Sequence, residues 1–180
     1  MCIRDSDSLG QSLLQSIALF LDLEESYFET IANKGNSVMR SIHYPPVRKD
    51  DKGERSGAHE DINLITLLIG GHQPGLEIKS KDNEWISVDT APEVLVCNIG
   101  DMLQRLTNHK LVSTTHRVNA PKESMDISRF SIPFFVHPNP DWLIETLDSC
   151  STEDNPKRYI EPILAEDYLQ ERLKEIKLIS

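Results

Sequence analysis

Cysteine is scarce in this chain. Cys2, Cys97 and Cys150 are an odd number, widely spaced, with no C-x-x-C pair among them. That pattern excludes a disulfide framework or a thiolate metal site as the organising device, and makes a reducing cytoplasm the expected setting. Cys97, within the run Val94-Leu95-Val96-Cys97, reads as a small core residue. Positive charge is the second shortage: 19 Lys and Arg stand against 29 Asp and Glu, for a formal net charge of -10. A surface this acidic does not seek phosphate backbones, and nucleic acid is not an expected partner. Long hydrophobic runs are missing too. No stretch reaches spanning length, and no segment joins a basic start to an apolar middle, so neither a membrane span nor a signal peptide is expected. No internal repeat or low-complexity tract is present. The 180 residues suit one domain with a real core.

Periodicity supplies the elements. From Ser8 to Leu21 the apolar residues Leu9, Leu13, Ile17, Phe20 and Leu21 predict a helix with one stripe against a sheet. A second short helix is expected next, with Tyr27, Phe28 and Ile31 inward and Gly35 as its C-cap. Val38 to Tyr44 reads as a strand stopped by Pro45 and Pro46. A charged loop at 48–55 follows. Ile62 to Ile69 is almost wholly apolar, as in a buried strand, and Gly70 and Gly71 close it. Leu76–Lys79 and Glu84–Val88 alternate around a turn and predict a hairpin, with Trp85 packed on the barrel. Val94–Ile99 is a further buried strand, and Asp101 is placed to cap a short helix over Met102–Leu106. Leu111–Val118 and Ile127–Val136 complete the strands, and Ala165–Lys177 is an amphipathic helix with Tyr168, Leu169, Leu173 and Ile176 inward. Short strands between turn signals, with helices at the ends, predict a mainly β double-stranded β-helix, or jelly roll, with flanking α-helices.

One stretch carries the chemistry. His59 and Asp61 are two positions apart, so on an extended segment their side chains leave one face while Glu60 leaves the other. His116 lies on a later strand. If that strand crosses near His59, two imidazoles and a carboxylate cap one face of an octahedron and leave the opposite face open, the ligand set of non-haem Fe(II) oxygenases. The other histidines lack such company: His72 and His109 read as surface residues and His137 as structural. Downstream, Arg129 and Ser131 again share a strand face. An arginine directed into a barrel needs an anion, because an unpaired buried charge is too costly. That anion is either a structural Asp or Glu or a bound carboxylate gripped by the guanidinium fork. Arg117, beside His116 but on the opposite face, is expected in an outer salt bridge.

Taken in order, Tyr44-Pro45-Pro46, His59-Glu60-Asp61, the run Asn98 to Gln104 with Thr107-Asn108, His116-Arg117-Val118 and Arg129-Phe130-Ser131-Ile132 resemble the Fe(II)/2-oxoglutarate-dependent dioxygenases of the isopenicillin N synthase-like superfamily. The likeness runs from about Ser8 to the C-terminus. It implies an oxidoreductase with His59, Asp61 and His116 on Fe(II), dioxygen as oxidant, and 2-oxoglutarate as cosubstrate held by Arg129 and Ser131 with Tyr44 nearby. Oxidative decarboxylation of 2-oxoglutarate would be coupled to oxidation of a small-molecule substrate. Plant relatives often carry Asn two positions before the tyrosine, where this chain has Ile42. Two other readings stand beside it. One is a 2-oxoglutarate-independent Fe(II) oxidase of the same superfamily, isopenicillin N synthase-like, aminocyclopropane-carboxylate oxidase-like or ethylene-forming. The other is a metal-free jelly-roll binding module. The resemblance divides the chain into residues 1–6, unassigned and a candidate foreign segment; flanking helices at 7–35; and the jelly-roll domain with its C-terminal helix at 36–180. It also makes the chain look like the C-terminal part of a longer enzyme, whose open strand edges favour aggregation without the remainder.

Overall fold

A computed structural model describes residues 2–48, 54–69, 73–88, 91 and 94–177. Helix α1 (Ile3–Phe20) precedes strands β1 (Val38–Met39), β2 (Ile42–Tyr44), β3 (Ser56–His59), β4 (Ile65–Ile69), β5 (Leu76–Lys79), β6 (Trp85–Ser87) and β7 (Leu95–Ile99). Helix α2 (Asp101–Leu106), strands β8 (His116–Val118), β9 (Arg129–Val136), β10 (Leu143–Ile144) and β11 (Ile163–Leu164), and helix α3 (Ala165–Glu175) complete the chain. The larger sheet runs β1-β9-β4-β7, with β2 also on β9, and the smaller runs β3-β8-β5-β6. β10 and β11 form a separate pair, and every pairing is antiparallel. Side chains of both main sheets line one cavity, which is the expected jelly roll.

The core is not between the sheets. Along β4, Ile65 and Leu67 join the buried cluster while Thr66 and Leu68 face the cavity; along β9, Phe134 and Val136 join the cluster while Arg129, Ser131, Pro133 and Phe135 face the cavity. The hydrophobic core therefore lies between the outer face of the larger sheet and the helices, built with Leu14, Phe28, Met102, Leu103 and Leu106. The hollow between the sheets is left for function. A strand covered on both faces has no need to alternate, which explains why β4 is apolar but for Thr66.

Helix α1 starts before the predicted Ser8, and Ser6 is fully buried, so residues 3–6 belong to the helix rather than standing apart. Its inner face is Ser6, Gly10, Leu14 and Ala18, while Leu9 and Phe20, expected inward, are exposed. Close approach selects the small residues: a Cβ at Gly10 would lie 2.9 Å from Val136 Cγ2. The expected second helix is instead a series of turns. The carbonyls of Thr30 and Ile31 accept from the Asn139 side chain and amide, so a continued helix ladder is not formed there. Gly35 is no C-cap; its missing side chain makes room for the His137 carbonyl, 2.1 Å from where a Cβ would sit.

Proline breaks the predicted strand Val38–Tyr44. Arg40 N donates to Pro133 O at 3.0 Å, but Pro133 has no N–H to return the bond. The edge is thus divided into β1 and β2 at Arg40-Ser41. Leu111 to Thr115 is not strand either, because side chains hold its amides: Thr107 Oγ1 accepts from Leu111 N and Gln104 Oε1 from Ser113 N. The hairpin β5–β6 forms as read, with Asn83 at φ 65° in its turn. Cys97 points to the outer face of β7 and is exposed, not core. His109 is half-buried, its Nε2 2.7 Å from Tyr159 Oη. Asp101 does not cap α2; Gly100 takes that position, and the Asp101 carboxylate accepts from Arg172 Nε at 3.0 Å, tying α3 to α2. Burial pushes the Asp101 carboxyl up to about 6, against the pull of Arg172. Along α3, Tyr168 and Leu169 pack on the core but Ile176 is exposed. His72, Gly70, Gly71 and most of the charged loop, 49–53, lie outside the described residues. Among the described residues no helix is long and apolar enough to cross a membrane.

Candidate metal centre

Strands β3 and β8 pair antiparallel, and a register shift between Ser56 and His59 sets His59 directly opposite His116. A bulge of this kind re-aims a side chain, and here it brings two imidazoles together, with ring centroids 4.4 Å apart. Asp61 follows two residues after His59, its backbone held by Asp101 N donating to Asp61 O at 2.9 Å. Asp61 Oδ1 lies 3.8 Å from His59 Nε2 and 3.7 Å from His116 Nε2. The three donor atoms lie within 4.8 Å of one another, close enough to share one ion. Glu60 turns the other way, as its position predicts, and accepts from Thr115 Oγ1 at 3.1 Å. That bond joins the two ligand strands on their opposite face. Arg117 is the outer salt-bridge residue expected, bound to Glu54 and Glu77 at 2.6 Å each and lying over Trp85.

The residues around the triad select the form a metal requires. His59 Nδ1 lies 2.7 Å from Gly57 O, and His116 Nδ1 lies 3.1 Å from Thr114 O. A carbonyl can only accept, so each Nδ1 carries the proton and each Nε2 keeps its lone pair for the ion. Asp61 Oδ2 accepts from Thr66 Oγ1 at 2.7 Å and from Asn98 Nδ2 at 2.9 Å, which leaves Oδ1 free toward the histidines. Asn63 Nδ2 in turn donates to Thr66 Oγ1 at 2.8 Å. Sequence reading missed Thr66 and Asn98 as supports of the carboxylate. Their signal was present: each is a polar residue within an otherwise apolar strand, and polar groups taken from water need partners.

Gly100 is what lets this string of hydrogen bonds pack. A Cβ there would sit 2.1 Å from Asn63 Oδ1 and 2.2 Å from Asn63 O. Gly100→Ala is expected to cost about 2–3 kcal/mol, the range of core overpacking, or roughly 5–10 °C in melting temperature for a chain of this size. It should also weaken Fe(II) binding, since Asn63 supports Thr66 and Thr66 supports Asp61. Thermal melts and metal titration of the variant check both effects; an unchanged melt would mean the turn relaxes freely.

The cavity has a volume of about 260 Å³ and holds the triad in its wall. Arg129 and Ser131 line it, both buried, and Tyr44 lines it opposite Arg129 in the β2–β9 register. The Arg129 guanidinium lies 5.4 Å from the Tyr44 ring centre. Ile42, the departure from the plant pattern, pairs with Ser131. No Asp or Glu among the described residues forms an ion pair with Arg129, and its Nε is buried without a partner. Burial accordingly lowers Arg129 from the ordinary arginine range. Of the two anions the sequence left open for Arg129, the structural carboxylate is therefore not found among the described residues. An open-faced His-Asp-His donor set and an unsatisfied buried guanidinium in one hollow fit Fe(II) and a 2-oxo acid dianion.

Comparison with known proteins agrees. The model of the 2OG-Fe(II) oxygenase superfamily matches residues 35–138. The 2-oxoglutarate-Fe(II) type oxidoreductase hxnY of Emericella nidulans is 35% identical over 171 residues, 93% of this chain and 48% of that protein. A crystal structure of a 2OG-Fe(II) oxygenase family protein from Caulobacter crescentus superposes with a TM-score of 0.88 at 48% identity, covering 96% of this chain and 56% of that one. A full-length Neurospora crassa protein, crystallised in complex with alpha-KG, superposes with a TM-score of 0.83 at 31% identity, covering 93% of this chain and 53% of that one. The chain spans about half the length of the curated relatives it matches. By the family model, and with its ordered motifs folded around one hollow, the chain belongs to the 2OG-Fe(II) oxygenase superfamily.

Proposed function

We propose that this chain carries the catalytic centre of a dioxygenase coupling oxidative decarboxylation of 2-oxoglutarate to oxidation of a small-molecule substrate. The observation that carries the reading is Arg129: a buried guanidinium without a carboxylate partner among the described residues, in the same cavity as the His59, Asp61 and His116 donors. When bound, Fe(II) and 2-oxoglutarate supply the oxidising chemistry, with dioxygen consumed and succinate and carbon dioxide released. The chain supplies the geometry. His59 Nε2, Asp61 Oδ1 and His116 Nε2 would hold the metal, and the hydrogen bonds of Gly57, Thr114, Thr66 and Asn98 keep those atoms aimed. Arg129 and Ser131 would hold the distal carboxylate of the cosubstrate, the guanidinium and the hydroxyl both donating to it. Tyr44 flanks the Arg129 guanidinium and closes that end of the hollow. Leu68, Val96, Leu76 and Ile78 give the cavity apolar walls beside the donor atoms. A reducing compartment such as the cytoplasm is proposed as its setting, supported by three free thiols of which Cys2 and Cys97 are exposed.

The test is product analysis of the Fe(II)-loaded protein supplied with 2-oxoglutarate and dioxygen. Succinate is expected in proportion to oxygen taken up, with a slow rate even without a primary substrate, and Arg129→Ala should remove most of it. Oxygen uptake without succinate would favour the 2-oxoglutarate-independent oxidase, in which the Arg129–Ser131 pair serves a substrate carboxylate. Failure of the folded chain to retain Fe(II) would leave the metal-free binding module.

A further inference from the structure

We propose that Arg40 recognises a carboxylate on the primary substrate. This deepens the reading above and rests on it. Arg40 lies at the break between β1 and β2, on the same side of the edge as Ile42 and Tyr44, and its side chain lines the metal-bearing cavity. Its backbone amide is used by Pro133, but its guanidinium is not in any ion pair or hydrogen bond among the described residues. Within this cavity it shares that state with Arg129. Carboxylates outnumber cations by 29 to 19, and several arginines around the barrel have found oxygen: Arg117 binds two carboxylates, Arg172 binds Asp101, and Arg55 donates through Nη2 to the carbonyls of Ser124 and Ile127.

Charge balance separates Arg40 from Arg129. Among the described residues lining the cavity, the permanently charged groups are Asp61, Arg129 and Arg40. A bound Fe(II) dication and a 2-oxoglutarate dianion cancel each other, and Asp61 cancels Arg129. Arg40 is left over, so the loaded site carries one uncompensated positive charge. A monoanionic substrate neutralises it. The guanidinium fork matches a planar carboxylate better than any neutral group of similar size. Leu68, Val96, Pro133 and Phe135 surround the remaining space, so the substrate class is a small acid with an apolar or aromatic body. Arg40 is itself exposed at the cavity rim, which suits a group that meets the substrate as it enters rather than one that holds the cosubstrate.

The experiment uses protein loaded with Mn(II), which holds the site without turnover, at saturating 2-oxoglutarate. Affinities for 3-phenylpropanoate and hexanoate are compared by titration calorimetry with those for 3-phenylpropanamide and hexanamide. Each acid is expected to bind about tenfold more tightly than its amide, the scale of one charge-assisted hydrogen-bonded pair. Arg40→Gln should erase that difference and leave the 2-oxoglutarate affinity within about twofold. Because the guanidinium holds no other described part of the fold, the variant should melt with the parent protein. Arg40→Glu should turn the preference toward 3-phenylpropylamine. Acids that fail to bind, bind no better than their amides, or keep their advantage in Arg40→Gln overturn the proposal. So does a large loss of 2-oxoglutarate affinity in Arg40→Gln, which would assign the residue to the cosubstrate. If the parent protein does not bind 2-oxoglutarate in the presence of metal, the proposed function fails first, and this inference with it.

Discussion

Replacing Asp61 with alanine is expected to weaken Fe(II) binding by far more than a hundredfold and to leave dialysed protein without iron. The carboxylate is the sole anionic donor of the triad, and it lies at the meeting point of both imidazoles, 3.8 and 3.7 Å from their Nε2 atoms. Two neutral nitrogens remaining on an otherwise open ion do not compete with water for a hard dication. His116→Ala should be nearly as severe, since it removes the ligand supplied by the second strand. The milder variants are more instructive. Thr66→Val keeps the shape and deletes the hydrogen bond to Asp61 Oδ2, and a loss of about tenfold to a hundredfold is expected, the usual effect of removing a group that orients a ligand. Equilibrium dialysis with metal analysis measures all three. Iron retained at one per chain in Asp61→Ala would falsify the ligand assignment.

The second large effect is expected at Arg129. Arg129→Ala should raise the dissociation constant for 2-oxoglutarate by more than a hundredfold, corresponding to about 3 kcal/mol or more for truncating one partner of a buried charge pair. Fe(II) affinity should stay within about twofold, because the arginine reaches no ligand atom. Arg129→Lys keeps the charge and loses the planar fork, so it should fall between the two, at roughly tenfold. The contrast is the informative part: the metal variants lose both iron and cosubstrate, whereas the arginine variants lose cosubstrate alone. Binding of labelled 2-oxoglutarate to the Fe(II) protein without oxygen, followed by metal analysis of the same samples, separates the two patterns. Unchanged cosubstrate affinity in Arg129→Ala would move the distal carboxylate to another cation.

The amino-acid order alone determined the donor set and much of the scaffold. A histidine and a carboxylate two residues apart leave an extended chain on one face whatever surrounds them, and Glu60 does turn away from Asp61 to meet Thr115. Equally local are the hairpin β5–β6, whose turn carries Asn83 at positive φ, and the largely apolar run of β4. Arg129 and Ser131 share a face by the same two-residue period, and both enter the cavity.

Tertiary structure decided what depends on a partner far away in the chain. Local spacing did not predict that α1 would turn Gly10 and Ala18 inward in place of Leu9 and Phe20, because the choice depends on how closely the helix must approach Val136. The division of β1 from β2 depends on Pro133, far downstream in the chain. Cys97 faces outward because the cavity claims its neighbours Val96 and Asn98. The register shift that sets His59 against His116 belongs to the pairing of two strands and to neither alone. Side-chain type and period are properties of a segment, whereas register, closest approach and the want of a described partner for Arg40 and Arg129 exist only between segments.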